Sequence, residues 1–96
     1  MKKINLLLLI FLFSCSQGAA EEFQTGEEVY EARCSSCHGA NLEGRVGPSI
    51  DSNSASASMP DSYWVQTITK GKGSMPAVRL SETEVQLVIE YIKSKY

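Results

Sequence analysis

Five residues, Cys34-Ser35-Ser36-Cys37-His38, constrain this chain more than any other feature. They place two thiols three positions apart, with the sequence's single histidine directly behind the second. Three Cys and one His are scattered among 96 residues. A shuffled sequence of that composition would contain C-x-x-C-H roughly once in 1,500, and the spacing is that of c-type haem attachment. Other uses of paired cysteines stay open at this point: a zinc clamp, a redox dithiol and a disulfide. Structural zinc needs four Cys or His ligands, and only Cys34, Cys37 and His38 lie together. A thioredoxin-like pair calls for a surrounding βαβ pattern, and the sequence has no strand pattern of that kind.

The third cysteine belongs to a different segment. The chain opens MKKINLLLLIFLFSCS, two lysines followed by an apolar run of about ten residues. That run is short for a membrane span and suits the hydrophobic region of an export signal. Leu12 to Cys15 reads LFSC, which resembles a bacterial lipoprotein box, so Cys15 is expected to carry lipid after cleavage. The alternative is an ordinary signal peptide cut near QGAA, residues 17–20. The expected organisation is a signal peptide over 1–14, a lipidated Cys15 with a tether to residue 24, and one domain over 25–96. Such a chain is exported to the periplasmic or extracytoplasmic face of a membrane and held there by its acyl chains.

Without Lys2 and Lys3, seven basic residues face eleven acidic ones, a net charge of about −4. That balance does not suit nucleic acid. About 80 mature residues make a single small core, and cores of this size need a staple. A covalently held haem supplies one.

Helical signals dominate the domain. Thr25 and Glu28 have capping-box spacing, predicting a helix from Gly26 to about Cys37. Residues 39–58 are rich in Gly and Ser and have no amphipathic period, so they read as an irregular wrap ending in a mobile Ser/Ala spacer. Asp61 to Lys70 forms a second helix, started by Pro60 and Asp61 and stopped by Gly71, with Trp64, Val65 and Ile68 on one face. Ser81 and Glu84 repeat the capping box, Leu80 and Val85 fit a hydrophobic staple, and Val85, Val88, Ile89 and Ile92 recur at helical spacing. The class is all-α.

In a haem site the two thiols add to the porphyrin vinyl groups and must leave one face of a helix end, as an i, i+3 pair does. The next residue, His38, then reaches the iron, and its other ring nitrogen needs an acceptor. Pro48 offers a carbonyl. With no second histidine, a methionine sulfur is the natural sixth ligand. Met75 in GKGSMPA is preferred to Met59, because Gly71 and Gly73 permit tight turns and Pro76 keeps the residue before it extended.

The chain therefore resembles the class I c-type cytochromes, on GEEVYEARCSSCHG, GPSI, ITKGKGSMPA and LSETEVQLVIEYI in that order. The resemblance covers Thr25 to Tyr96. It implies a cytochrome c fold, three to four helices around one covalent haem c. It also implies Pro48 as the partner of His38, and contact of Gly26 and Tyr30 with the last helix around Val88 and Tyr91. Arg45 and Trp64 are candidate contacts of the haem propionates. Filled axial positions imply one-electron transfer rather than catalysis, with no small-molecule substrate. The expected partners are redox proteins, a terminal oxidase or a quinol-oxidising complex, met at a membrane. Lys70 and Lys72 are candidates for a basic docking rim. Two rivals remain: a five-coordinate or Met-labile haem protein acting as peroxidase or gas sensor, and a fixed cytochrome subunit of a larger oxidoreductase.

Overall fold

The computed structural model describes residues 22–96; the expected signal peptide and the lipidation candidate Cys15 lie outside the described residues. Among the described residues four helices follow one another: α1 (Gly26–Arg33), α2 (Ser35–His38), α3 (Asp61–Lys70) and α4 (Glu82–Lys93), with a 3₁₀ turn at Ala55–Ser58 between α2 and α3. There is no strand among the described residues, only an isolated bridge between Lys72 and Met75.

Both capping boxes form. Thr25 Oγ1 accepts from Glu28 N–H while the Glu28 carboxylate accepts from Thr25 N–H, and Ser81 and Glu84 do the same at α4. Each cap satisfies backbone donors that the first helical turn leaves orphaned, worth about 1 kcal/mol. Glu84 does more than cap. Its second carboxylate oxygen accepts from Phe23 N–H at 2.8 Å. The N–H groups of Ser81 and then Phe23 hold this buried carboxyl below the usual carboxylate range. Phe23, assigned from the sequence to the tether, is thus pinned to the domain and packs on its core.

The expected single helix to Cys37 is instead broken at Cys34, whose φ of −122° leaves the helical region. The cause is local. Ser35 Oγ donates to the Glu31 carbonyl at 2.9 Å, taking the acceptor that a continuous helix would offer to a backbone N–H. The Ser-rich segment also differs from the expected spacer. Asp51 organises it, its carboxylate accepting from Asn53 N–H and its carbonyl from Ser54, and the chain then winds into the 3₁₀ turn.

The core gathers Val29 and Tyr30 of α1, Trp64 and Ile68 of α3, and Val85, Val88, Ile89 and Ile92 of α4, closed by Leu42 and Ile50 from the loop. Burying each aliphatic side chain contributes roughly 1.5–3 kcal/mol. α1 packs chiefly on α4. The crossing is close because Gly26 lies against Leu87 and Tyr91: a Cβ at 26 would stand 2.7 Å from Tyr91 Cβ and collide with the Leu87 carbonyl. Tyr30 meets Tyr91 with ring centroids 5.7 Å apart. The expected crossing is present, with Leu87 rather than Val88 facing Gly26. Among the described residues no helix is long and apolar enough to cross a membrane.

Candidate haem site

The break at Cys34 starts α2 as a separate turn that carries Ser35, Ser36, Cys37 and His38. Cys34 is half-buried at its N-cap and Cys37 is exposed, and the two are not bonded to each other. Burial, reinforced by the neighbouring Cys37, pushes the Cys34 thiol up to about 11. A catalytic redox dithiol needs a thiol lowered toward neutrality, and Cys34 is moved the other way. Among the described residues no group of three or more His, Cys, Asp or Glu side chains is placed to hold a metal ion.

His38 is 8% exposed. Its Nδ1 lies 2.7 Å from the carbonyl oxygen of Pro48. A carbonyl only accepts, so Nδ1 carries the proton and Nε2 keeps a free lone pair. The loop after His38 wraps back to hold this geometry. Gly44 N–H donates to the His38 carbonyl, and the N–H groups of Arg45 and Gly47 both donate to the Cys37 carbonyl. Gly47 presses on the imidazole: a Cβ there would sit 3.1 Å from His38 Cε1. The sequence places Gly47 in the irregular wrap and in the Gly-Pro of GPSI, without assigning it this contact with the imidazole. Sequence reasoning missed the Tyr30 hydroxyl, which donates to the Gly39 carbonyl at 2.6 Å from a fully buried ring. A buried tyrosine needs such a partner. Burial pushes its phenol up to about 12, so it stays a donor.

Arg45 is exposed and enters the site through its backbone; the Glu43 carboxyl beside it is held below its ordinary value first by the backbone N–H groups of Glu43 and Asn41, with the Arg45 charge adding least. Leu42 carries the strain of the loop, with a φ of 63° that a side chain rarely adopts, and is held there by burial.

Met75 lies on a hairpin after α3. Lys72 N–H donates to the Met75 carbonyl at 3.0 Å and Met75 N–H to the Lys72 carbonyl at 2.9 Å, around Gly73 at φ 59°. Met75 is half-buried, whereas Met59, at the end of the 3₁₀ turn, is 38% exposed. Gly71 lets the hairpin close on the helix end. It has φ 82°, and a Cβ there would reach 2.7 Å from the Met75 carbonyl oxygen.

Trp64 is 5% exposed, and its indole Nε1–H has no hydrogen-bond partner among the described residues. Buried donors are nearly always paired. The neighbours of Trp64 seal that N–H from the surface. The Nε2 of His38 left free by the Pro48 contact, with Cys34 and Cys37 on the adjoining turn, fits a covalently attached haem.

Known proteins point the same way. Residues 21–92 match the family described as "Cytochrome C oxidase, cbb3-type, subunit III". The chain is 28% identical over 105 residues to cytochrome c-551 of Bacillus subtilis (strain 168), covering 96% of this chain and 91% of the relative. It is 31% identical over 93 residues to the cbb3-type cytochrome c oxidase subunit FixP of Azorhizobium caulinodans, covering 84% of this chain but 30% of that longer one. Among solved structures it resembles cytochrome cL from Hyphomicrobium denitrificans, with a TM-score of 0.59 and 36% identity over 71% of this chain and 44% of that one. Because the family match spans most of the sequence, the chain belongs to the cytochrome c family as a small class I c-type cytochrome, and its cofactor is covalently attached haem c.

Proposed function

We propose that this cytochrome is a one-electron carrier in which Cys34 and Cys37 hold the haem by thioether bonds and His38 and Met75 are its axial ligands. The observation that carries the reading is the 2.7 Å contact of His38 Nδ1 with the Pro48 carbonyl, which orients the ring and leaves Nε2 free to bind iron. The bound haem supplies one reversible electron, at a potential that a methionine ligand raises. The polypeptide does the rest. His38 is fixed by its carbonyl partner and by the loop bonds on Cys37. Met75 offers a soft sulfur from its hairpin. Leu42, Trp64 and Ile68 are buried and keep water from the interior. With both axial positions filled by side chains, no position is left for substrate, and catalysis gives way to electron transfer.

The partners in this reading are other redox proteins. An oxidase among them is supported by the family description and by the likeness to FixP. Those same findings favour a second reading, a fixed subunit of a larger oxidase. Detergent-solubilised membranes separate the two: a mobile carrier elutes on its own, whereas a subunit co-elutes with oxidase activity. The proposal includes export and anchoring through Cys15, supported by the MKKINLLLLIFLFSC opening. Cys15→Ala should leave the haem spectrum unchanged and move the protein from the membrane to the soluble fraction; unchanged partitioning would contradict the anchor. The decisive test of the attachment is the double substitution Cys34→Ala with Cys37→Ala. It should abolish the haem stain that survives a denaturing gel, and a stain that persists would overturn the site.

A further inference from the structure

The hairpin that carries Met75 is held to the rest of the domain at few points. Lys72 and Met75 face each other across it through two backbone hydrogen bonds, so whatever restrains Lys72 restrains Met75. At one end Gly71 packs against the Met75–Pro76 backbone, and at the other Val78 N–H donates to the Ile68 carbonyl at 2.8 Å. Val78 also packs on the core, and a further link is made by a side chain. Lys72 Nζ folds back on α3, donating to the Tyr63 hydroxyl at 2.8 Å and standing 4.8 Å from the centroid of its ring.

Three features make this more than two neighbouring surface residues. Tyr63 is half-buried and packed on the core, so it is a fixed anchor. Lys72 is exposed, and a free lysine would gain rotamer entropy by leaving; the hydrogen bond and the ring face oppose that. A cavity of about 300 Å³, lined by Tyr63, Gln66, Thr67, Gly71 and Lys72, lies between the helix and the hairpin. The side-chain bridge therefore spans a gap that backbone packing does not fill. The ammonium group also lowers the Tyr63 phenol below its ordinary value, first through the hydrogen bond itself.

We infer that Lys72 and Tyr63 form a clasp that positions Met75, setting how often the thioether leaves the iron and an outside ligand enters. The clasp rests on the proposed Met75 ligation, and it makes one exposed contact the control on how closed the carrier is. Lys72 and Tyr63 are positioning residues here; neither touches the cofactor in the role assigned.

The test is an imidazole titration of the ferric holoprotein, followed through the long-wavelength absorption of a sulfur-ligated ferric haem. Lys72→Met keeps the aliphatic stem and loses the ammonium. Imidazole affinity should rise about two- to fivefold, the size of an exposed cation–π contact. Tyr63→Phe keeps the ring face and should give a smaller rise, while Lys72→Arg keeps both contacts and should stay near wild type. Combining Lys72→Met with Tyr63→Phe should give no more than Lys72→Met alone. Unchanged affinity in Lys72→Met, failure of the arginine to rescue, or additive effects would each overturn the clasp, as would a lowered melting temperature without altered affinity. Met75→Ala separates the two layers. If it binds imidazole far more tightly than wild type while Lys72→Met does not, the clasp alone falls; if it binds no more tightly, the ligation fails and takes the clasp with it.

Discussion

The two sides of the proposed haem site are built differently. On the His38 side, the ligand is buried, its ring is hydrogen-bonded at Nδ1, and the following loop returns repeatedly to the carbonyls of Cys37 and His38. Tyr30 adds a buried bond to the next peptide, from a helix locked against α4. On the Met75 side, a short hairpin is held by glycine packing, one backbone bond to α3, the packing of Val78 on the core and one exposed side-chain contact. Local stability follows the density of buried contacts and protected hydrogen bonds. On the proposed ligation, the histidine side is accordingly the scaffold, and the methionine side is where an outside ligand is expected to compete.

The contrast is broken most severely at the methionine. Met75→Ala is expected to lower the reduction potential of the holoprotein by far more than any other single change considered, while leaving the covalent haem in place; Met59→Ala should leave the potential unchanged. Redox titration of both variants decides it, and a large shift in Met59→Ala instead would move the sixth ligand to residue 59. A smaller effect, on stability alone, is expected on the scaffold side. Gly26→Ala drives a methyl into Leu87 and Tyr91, an overpacking that costs about 1–3 kcal/mol. Thermal unfolding should report it, with the potential unmoved; an unaltered melting temperature would mean that the α1–α4 crossing is looser than described. The smallest effect sharpens the comparison most. Tyr30→Phe removes one buried hydroxyl and keeps the ring against Tyr91, a loss of about 1 kcal/mol. Unfolding in denaturant measures it, and imidazole affinity should not change, because the scaffold lies on the other side from the exchanging ligand.

Much of this was legible in the sequence. The helix boundaries at Gly26, Asp61, Lys70 and Glu82 follow from caps and stops within a few residues, which local chemistry settles. The C-x-x-C-H turn and the Met-Pro hairpin were likewise local. What escaped was long-range or conformational. Glu84 looked like a capping residue and also ties down Phe23, 61 positions away. The break at Cys34 depends on which acceptor Ser35 selects. Leu42 adopts a left-handed conformation that residue type argues against, because burial of its side chain outweighs the strain. The Lys72–Tyr63 contact spans two elements whose approach depends on Gly71. Trp64 was a candidate propionate contact only as a residue type; its unpaired N–H emerges once its neighbours are in place.

The central claim is that side chains occupy both axial positions of the haem iron. Absorption spectra of the reduced, purified domain, recorded with and without carbon monoxide at neutral pH, test it most directly. The account predicts superimposable spectra for the wild type. Ready formation of a carbonyl complex by the native ferrous protein would contradict it.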